Sequence, residues 1–230
     1  MINFNTNNIQ KKTLSKQVLD EIINLLIEEK LKPGDKFPSE LELMEQLKIS
    51  RPVLREALSS LETLEIITRK PRGGTYINYK IGKNPFRMML ALFINNTSAI
   101  IEARMTLELG LVTIAAEKIT DEHLAQLKET INNIKRNKSG DYGVSDKKFH
   151  RIIAHSANNS VLDGMIESLL VAHEKTDNLI PYREPDVTIK HHTAIYQALK
   201  NRDPIESFQK MYNHLDFVRT KIISSQSFKN

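Results

Sequence analysis

Apolar residues recur every three or four positions in three N-terminal stretches, which predicts three helices. The first stretch, Thr13–Glu29, follows a polar, Asn-rich start. The second begins at Ser39, where Glu42 three residues later predicts a capping box. The third, Ser50–Leu64, opens on a residue suited to cap a helix and keeps its apolar residues on one face. The last two helices meet at a Ser-Arg-Pro turn, which is typical of a helix-turn-helix.

Two short strands follow these helices in the predicted order. The segments Ile66–Arg69 and Thr75–Ile77 are strand-like, and a basic tip that contains Gly73 and Gly74 connects them. Helix, turn, helix and a two-stranded wing make up a winged helix-turn-helix. In this DNA-reading module a short helix enters the major groove.

The rest of the chain carries no strand pattern. Residues 81–85, Ile-Gly-Lys-Asn-Pro, predict a linker, and helical periodicity continues beyond them. The predicted helices are Phe86–Asn95, Ser98–Lys118, Asp121–Asn137, Tyr142–Ala157, Ser160–Leu179, Pro185–Asn201 and Pro204–Ser225. We therefore predict a mainly α protein: a winged helix-turn-helix in residues 1–80, a linker in 81–85, and an all-α bundle of about seven helices in 86–230.

Composition and charge narrow the class of partner. The 230 residues carry a net charge of +5, and the segment Lys48–Lys80 holds seven Lys or Arg against three Glu. Much of the excess positive charge therefore falls on the predicted DNA-reading module. The chain has no cysteine, which excludes disulfides and thiolate metal sites. Its N-terminus lacks the apolar run of a signal peptide and no stretch is long enough to span a membrane, so we expect a cytoplasmic protein without membrane contact.

The start of the third helix offers side chains suited to DNA. Arg51 and Arg55 lie one helical turn apart, opposite the apolar face, and arginine makes bidentate contacts with guanine edges or phosphates. Ser50 can cap this helix and also reach a phosphate. Two arginines on a solvated helix would be an ordinary alternative. The order of helix, turn, helix and wing around them favours the DNA interpretation.

A second constellation combines one carboxylate and three imidazoles. Asp146 and His150 are four residues apart, on a helix face that also carries apolar residues. His192 and His214 lie on the apolar stripes of two further helices, so all four side chains should point into the bundle. Together they could bind a divalent cation. As alternatives, each histidine could be a hydrogen-bonded core residue, and Asp146 a carboxylate favoured by the helix dipole.

Residues 13–78 resemble the DNA-binding domain of the GntR family of bacterial transcription regulators. The matching residues are Gly34-Asp35, Phe37-Pro38-Ser39-Glu40, Ile49-Ser50-Arg51, Val53-Leu54-Arg55-Glu56-Ala57-Leu58 and Gly73-Gly74-Thr75. The resemblance implies a homodimer on a palindromic operator of double-stranded DNA. The expected DNA-binding residues are Ser39, Ser50, Arg51, Pro52, Arg55, Arg72, Gly73, Gly74 and Thr75. In one departure, Leu41 occupies a position where the family usually has arginine.

Residues 86–225 resemble the FCD ligand-sensing domain of the FadR-type branch of this family. The matches are Glu102-x-Arg104-x-x-x-Glu108, Asp146-x-x-Phe149-His150, Asn159, Leu162, His192-x-x-Ile195-x-x-Ala198-Leu199, Asp203, Met211 and His214-Leu215. The resemblance implies that Asp146, His150, His192 and His214 hold a divalent ion, with zinc preferred over nickel or manganese. Arg104 could pair with Glu108, four residues later on the same helix, or help to hold an anionic effector beside the metal. We favour a structural or mixed role and keep Arg104 as the candidate effector-binding residue.

These patterns lead to one functional hypothesis. We expect a transcription regulator, a repressor by its resemblance, whose operator affinity changes when a small organic acid binds at the metal. We do not expect an enzyme. A metalloenzyme with an Asp and three His as ligands would be a rival, but no nucleophile or general-base motif stands beside them. A regulator that responds to the metal alone is the other rival. The four retained ligand-type residues disfavour an acyl-CoA sensor.

Overall fold

The computed structural model describes residues 13–28, 30–79, 84–92, 96–138, 142–177 and 183–227. The chain divides into two compact units, Met1–Pro85 and Phe86–Asn230. The described elements are α1 (Leu14–Ile27), α2 (Glu40–Leu47), α3 (Arg51–Thr63), β1 (Ile67–Lys70), β2 (Gly74–Ile77), α4 (Asn84–Leu92), α5 (Thr97–Lys118), α6 (Asp121–Arg136), α7 (Gly143–Ser156), α8 (Ser160–Asp177), α9 (Pro185–Lys200) and α10 (Pro204–Ser227). The mainly α class, the winged helix-turn-helix and the bundle of about seven helices are confirmed.

The predicted linker ends within a helix. Residues 81–83 lie outside the described part of the chain, and Asn84 and Pro85 form the start of α4. A proline fits there because the N–H groups of a helix's first turn have no partner within the helix.

In the first unit, the apolar faces of three helices close over the base of the wing. The buried residues are Val18, Ile22, Phe37, Leu43, Leu54, Ala57, Leu58, Leu61, Ile67 and Ile77. Strands β1 and β2 pair antiparallel, with Ile67 opposite Ile77 and Lys70 opposite Gly74. The paired isoleucines fasten the base of the wing to the core. The opposite end, with its glycines and cations, is left at the surface.

The second unit is built around α5, which packs against α7, α8, α9 and α10. Most of its buried positions are apolar, but Arg104 and Glu108 are also buried there. Three more buried polar side chains, His150, His192 and His214, come from α7, α9 and α10. The interior of this bundle therefore contains a polar cluster. None of the helices in the described ranges has both the length and the hydropathy that crossing a membrane would require.

Candidate functional site

The start of α3 presents both predicted arginines to solvent. Arg51 and Arg55 are exposed, whereas Leu54 on the opposite face is fully buried. Arg55 Nε donates to Glu40 Oε2 over 3.3 Å, which brings its guanidinium close to the first turn of α2. Because the pair is solvent-exposed, it contributes little stability and can be exchanged for a stronger anion such as a phosphate.

The two serines that precede α2 and α3 behave differently. Ser39 forms the predicted capping box: its Oγ accepts from Glu42 N over 3.3 Å, and Glu42 Oε2 accepts from Ser39 N over 2.7 Å. Ser50 is at the N-cap of α3, but its side chain makes no capping hydrogen bond, contrary to the prediction. Pro52 explains part of the difference. It stands at the second helical position and lacks one of the two N–H groups that a cap can accept.

The wing tip requires glycine at one position. Gly74 has a φ of +102°, and a β-carbon there would lie 2.6 Å from Cε of Lys36. Arg72, two residues earlier, is exposed and also has a positive φ of 57°. Thr75 is half-buried, and its carbonyl accepts from Phe37 N over 2.8 Å. At the tip, Arg72 is therefore exposed next to a glycine backbone without side chains, and the Thr75–Phe37 hydrogen bond holds the tip in place.

Lys36 is a further cation beside the wing, and the sequence patterns did not predict it. Lys36 forms a β-bridge with Tyr76, and its Nζ lies 5.8 Å from the centroid of the Tyr76 ring. Lys70 Nζ lies 4.9 Å from the same centroid. The glycine-aspartate turn before Lys36 gave no signal of this contact, since it depends on how the chain returns to pair with β2.

Arg69 is tied to α3 rather than directed outward. Its Nε donates to Glu62 Oε2 over 2.8 Å, and its Nη2 donates to Ser59 Oγ over 3.2 Å. The hydrogen bond from Arg69 lowers the pKa of Glu62 below its usual range. This pair joins β1 to α3 and so helps to hold the wing beside that helix.

In the second unit, the four predicted ligand residues converge. Asp146 and His150 project from α7, His192 from α9 and His214 from α10, and one nitrogen or oxygen of each lies within 4.8 Å of the others. His192 Nε2 is 3.3 Å from Asp146 Oδ1, and His150 Nε2 is 3.1 Å from His214 Nε2. The histidines are almost fully buried, and the Asp146 side chain is 14% exposed.

Unpaired nitrogens at this cluster fit a bound cation. Both ring nitrogens of His192, and Nδ1 of His214, are buried without a hydrogen-bond partner among the residues that the structure describes. Such groups are costly in a bundle core unless something satisfies them. Three imidazole nitrogens and one carboxylate oxygen form a donor set that zinc, nickel and manganese accept.

The electrostatics favour the protonation states that a metal requires. Burial lowers the pKa of His192, and it lowers the pKa of His214 well below the usual value. Burial by itself would raise the pKa of Asp146, but its interactions with the nearby imidazoles, first with His192 and then with His150 and His214, outweigh it, so this pKa lies well below its usual range. Neutral imidazoles beside an ionised carboxylate are the forms that bind a cation.

Glu108 of α5 stands behind this cluster. One carboxylate oxygen, Oε1, accepts from Arg104 Nε, and the other, Oε2, accepts from His150 Nδ1. Burial raises the pKa of Glu108, but the charge of Arg104 and the contact with His150 outweigh it and lower this pKa to about 2. The predicted Arg104–Glu108 pair is present. Its extension to His150 was not foreseen, because it depends on the packing of α5 against α7.

A small cavity opens beside two of the four candidate ligands. Its volume is ≈ 30 Å³, enough for water-sized groups. Its lining residues are Arg104, Tyr142, Asp146, Arg183, Glu184, Thr188, His214, Phe217, Val218 and Lys221. Arg104 thus shares a cavity with Asp146 and His214, as an anion-holding role beside a metal would require.

Each of the two units matches a known protein family. The family model described as bacterial regulatory proteins, gntR family, matches residues 14–77, and the FCD domain model matches residues 99–217. YcbG of Bacillus subtilis strain 168, an uncharacterized HTH-type transcriptional regulator, is 59% identical over 221 residues, which cover 96% of this chain and 95% of YcbG. The chain belongs to the GntR family of bacterial regulatory proteins. Its FCD domain is consistent with the FadR-type branch, so the resemblance drawn from the sequence is confirmed.

More distant relatives of this GntR-family regulator are also transcriptional regulators. The HTH-type transcriptional repressor NanR of Enterobacter sp. strain 638 is 27% identical over 228 residues, covering 91% of this chain and 85% of NanR. The solved structure of Streptococcus agalactiae GntR has a TM-score of 0.60 and 27% identity, covering 90% of this chain and 99% of that one. Domains and relatives are those of DNA-binding transcriptional regulators rather than enzymes, which confirms that expectation.

The residue at which this GntR-family regulator departs from the family pattern, Leu41, lies at the surface. Leu41, in the first turn of α2, is 58% exposed. It adjoins Glu40, which pairs with the exposed Arg55 of α3. An exposed leucine there can contact sugars or a thymine methyl but supplies no charge to a phosphate.

Proposed function

We propose that this GntR-family regulator is a repressor that binds a palindromic operator as a homodimer, and that a small organic acid held at a metal in the FCD domain changes its operator affinity. The observation that carries this proposal is the convergence of Asp146, His150, His192 and His214 within 4.8 Å, with Arg104 facing the same cavity as two of them. The name of NanR, a repressor, supports the direction of control.

In the DNA half of the proposal, Arg51 and Arg55 read base edges or phosphates, and the backbone of Gly73 and Gly74 approaches the sugar-phosphate strand with Arg72 beside it. Ser39, Ser50, Pro52 and Thr75 complete the predicted contact surface. The exposure of both arginines and the bare backbone of the wing tip support this assignment.

An electrophoretic mobility shift with the neighbouring promoter tests the DNA half. Replacing Arg51 or Arg55 by alanine should cost about 1–3 kcal/mol of binding free energy, the value of one bidentate contact. Arg136→Ala is a matched control, because Arg136 is an exposed arginine on α6 that pairs with Glu129. If the folded double variant of Arg51 and Arg55 binds the promoter as tightly as the wild type, the DNA half is wrong.

In the sensing half, Asp146 and the three histidines would hold the ion, and the ion would bind a carboxylate of the effector as a Lewis acid. Arg104 lines the same cavity and would pair with that carboxylate. The effector would shift operator affinity only by the difference in its affinity for the two conformations of the regulator.

Native mass spectrometry of freshly purified protein tests the sensing half and the homodimer together. The expected spectrum shows a dimer with one divalent ion per subunit, and His214→Gln should remove the ion while His155→Gln, at the surface of α7, should not. A monomer would contradict the homodimer. Metal-free wild-type protein that takes up no added zinc, nickel or manganese would contradict the metal site.

The size of the cavity favours a second candidate, a regulator for which the metal itself is the signal. A volume of ≈ 30 Å³ admits water but not a sugar acid unless side chains move. Operator binding that follows added metal and chelator, and that does not respond to any of a panel of organic acids, would support this candidate over the first.

A further inference from the structure

The carboxylate of Glu108 is shared between a cation and a candidate metal ligand. Arg104 Nε donates to one oxygen and His150 Nδ1 donates to the other, and all three side chains are buried. Glu108 is not among the four residues that converge on the candidate ion site. It therefore acts on that site through His150.

This contact decides which nitrogen of His150 carries the proton. An ionised carboxylate can only accept hydrogen bonds, so the proton of a neutral His150 must be on Nδ1. The lone pair is then on Nε2, which lies 3.1 Å from Nε2 of His214, inside the cluster. Nδ1 of His192 and Nδ1 of His214 have no such partner in the part of the chain that the structure describes.

We infer that Glu108 is a positioning residue, which fixes His150 in its metal-binding tautomer and couples that ligand to the guanidinium of Arg104. The inference rests on the metal site proposed above. It adds a route by which a change at Arg104, which faces the cavity, alters metal affinity. Any group that competes with Glu108 for Arg104 changes how strongly the carboxylate holds His150.

A glutamine at position 108 distinguishes this role from simple packing. Its single carbonyl oxygen would turn to the charged Arg104, and its NH₂ group would then face Nδ1 of His150. The imidazole would have to accept at Nδ1 and carry its proton on Nε2, where the proton blocks coordination. If Arg104 is also replaced by methionine, the amide oxygen is free to turn back to Nδ1, and the metal-binding tautomer returns.

Two measurements on the full-length protein test the inference, both at about pH 8 so that protons do not compete with the metal. Zinc affinity, by competition with a chromophoric chelator, should fall about 10- to 100-fold in Glu108→Gln, as when other residues behind a metal ligand are removed. It should recover in part in the double variant with Arg104→Met. Long-range ¹H–¹⁵N correlations of the metal-free protein should show His150 with its proton on Nδ1 in the wild type and on Nε2 in Glu108→Gln.

The α7–α8 surface supplies a matched control. Glu167 also contacts an arginine and a histidine, Arg151 and His155, but outside the cluster, so Glu167→Gln should leave zinc affinity unchanged.

The double variant of Glu108→Gln and Arg104→Met leaves no unpaired charge beside His150, which keeps the test valid if Glu108→Gln folds poorly. Wild-type protein without zinc affinity would overturn the metal site itself. Equal zinc affinity and the same tautomer in wild type and Glu108→Gln would overturn the role of Glu108 alone.

Discussion

The ring of Phe149 lies parallel to the imidazole of His192, with centroids 3.9 Å apart and planes at 6°. Phe149 is fully buried, and it lies between Asp146 and His150 on the same face of α7. The stack fixes the plane of the His192 ring, whose Nε2 is 3.3 Å from Asp146 Oδ1. One turn of α7 therefore supplies two of the four candidate ligands and the support for a third.

Loss of this stack should weaken metal binding. Phe149→Leu keeps an apolar side chain but removes a stacked pair worth about 0.5–1.5 kcal/mol, which corresponds to a loss of about 2- to 13-fold in zinc affinity. Chelator competition measures the change. Phe208→Leu on the partly exposed face of α10 is the control and should leave zinc affinity unchanged. Undiminished affinity in Phe149→Leu would show that the stack does not orient His192.

The convergence of the four ligand residues could be predicted from the sequence because each lies on the apolar face of its own helix, where burial sets its direction. The contact of Glu108 with His150 could not, since it joins side chains 42 positions apart through the packing of α5 on α7. Lys36 beside Tyr76 is a similar case. Helical periodicity shows which face is buried but not which residues of two helices meet.

The missing capping bond of Ser50 leads to a second prediction. Ser39→Ala removes the side-chain half of a capping box, in which Ser39 Oγ accepts from Glu42 N, and should lower the free energy of unfolding by about 1 kcal/mol. Ser50→Ala removes no capping bond and should change it by less than about 0.5 kcal/mol. Urea unfolding of the two variants measures the difference. Equal losses would mean that the Ser50 hydroxyl does cap α3 in solution.

Acidification should destabilise the metal-free protein. His192 and His214 have folded pKa values below the usual 6.5, so below about pH 6.5 the unfolded chain binds protons that the folded protein does not. The stability from these histidines is therefore present at neutral pH and lost as the pH falls. Asp146 acts in the same direction further down: because its folded pKa is depressed, its contribution is present above 3.8 and is lost as the pH falls towards the folded value.

Urea unfolding at several pH values between about 7.5 and 5 measures this slope, which approaches about 1.4 kcal/mol per pH unit for each proton taken up. His214→Gln should reduce the slope, and His155→Gln on the surface of α7 serves as its control. A stability that does not change over this range would mean that the two buried histidines titrate alike in the folded and unfolded states.

Replacing Leu41 by arginine should increase the electrostatic part of the DNA affinity. The family usually has arginine at this position, and the leucine is 58% exposed beside Glu40, so an arginine side chain could extend from it without clashing with the core. Leu41→Arg adds one cation on the side of Arg55. If this cation meets a phosphate, the slope of log affinity against log salt should become steeper by about 0.9, with the largest gain in affinity at low salt.

Leu41→Gln is the matched control for this change, because it lengthens and polarises the side chain without adding charge. Its salt slope should equal that of the wild type. A Leu41→Arg slope that also equals the wild-type slope would place position 41 away from the phosphates. The face of α2 that carries Glu40 would then not approach the duplex, and Arg55 would have to reach DNA from α3 alone.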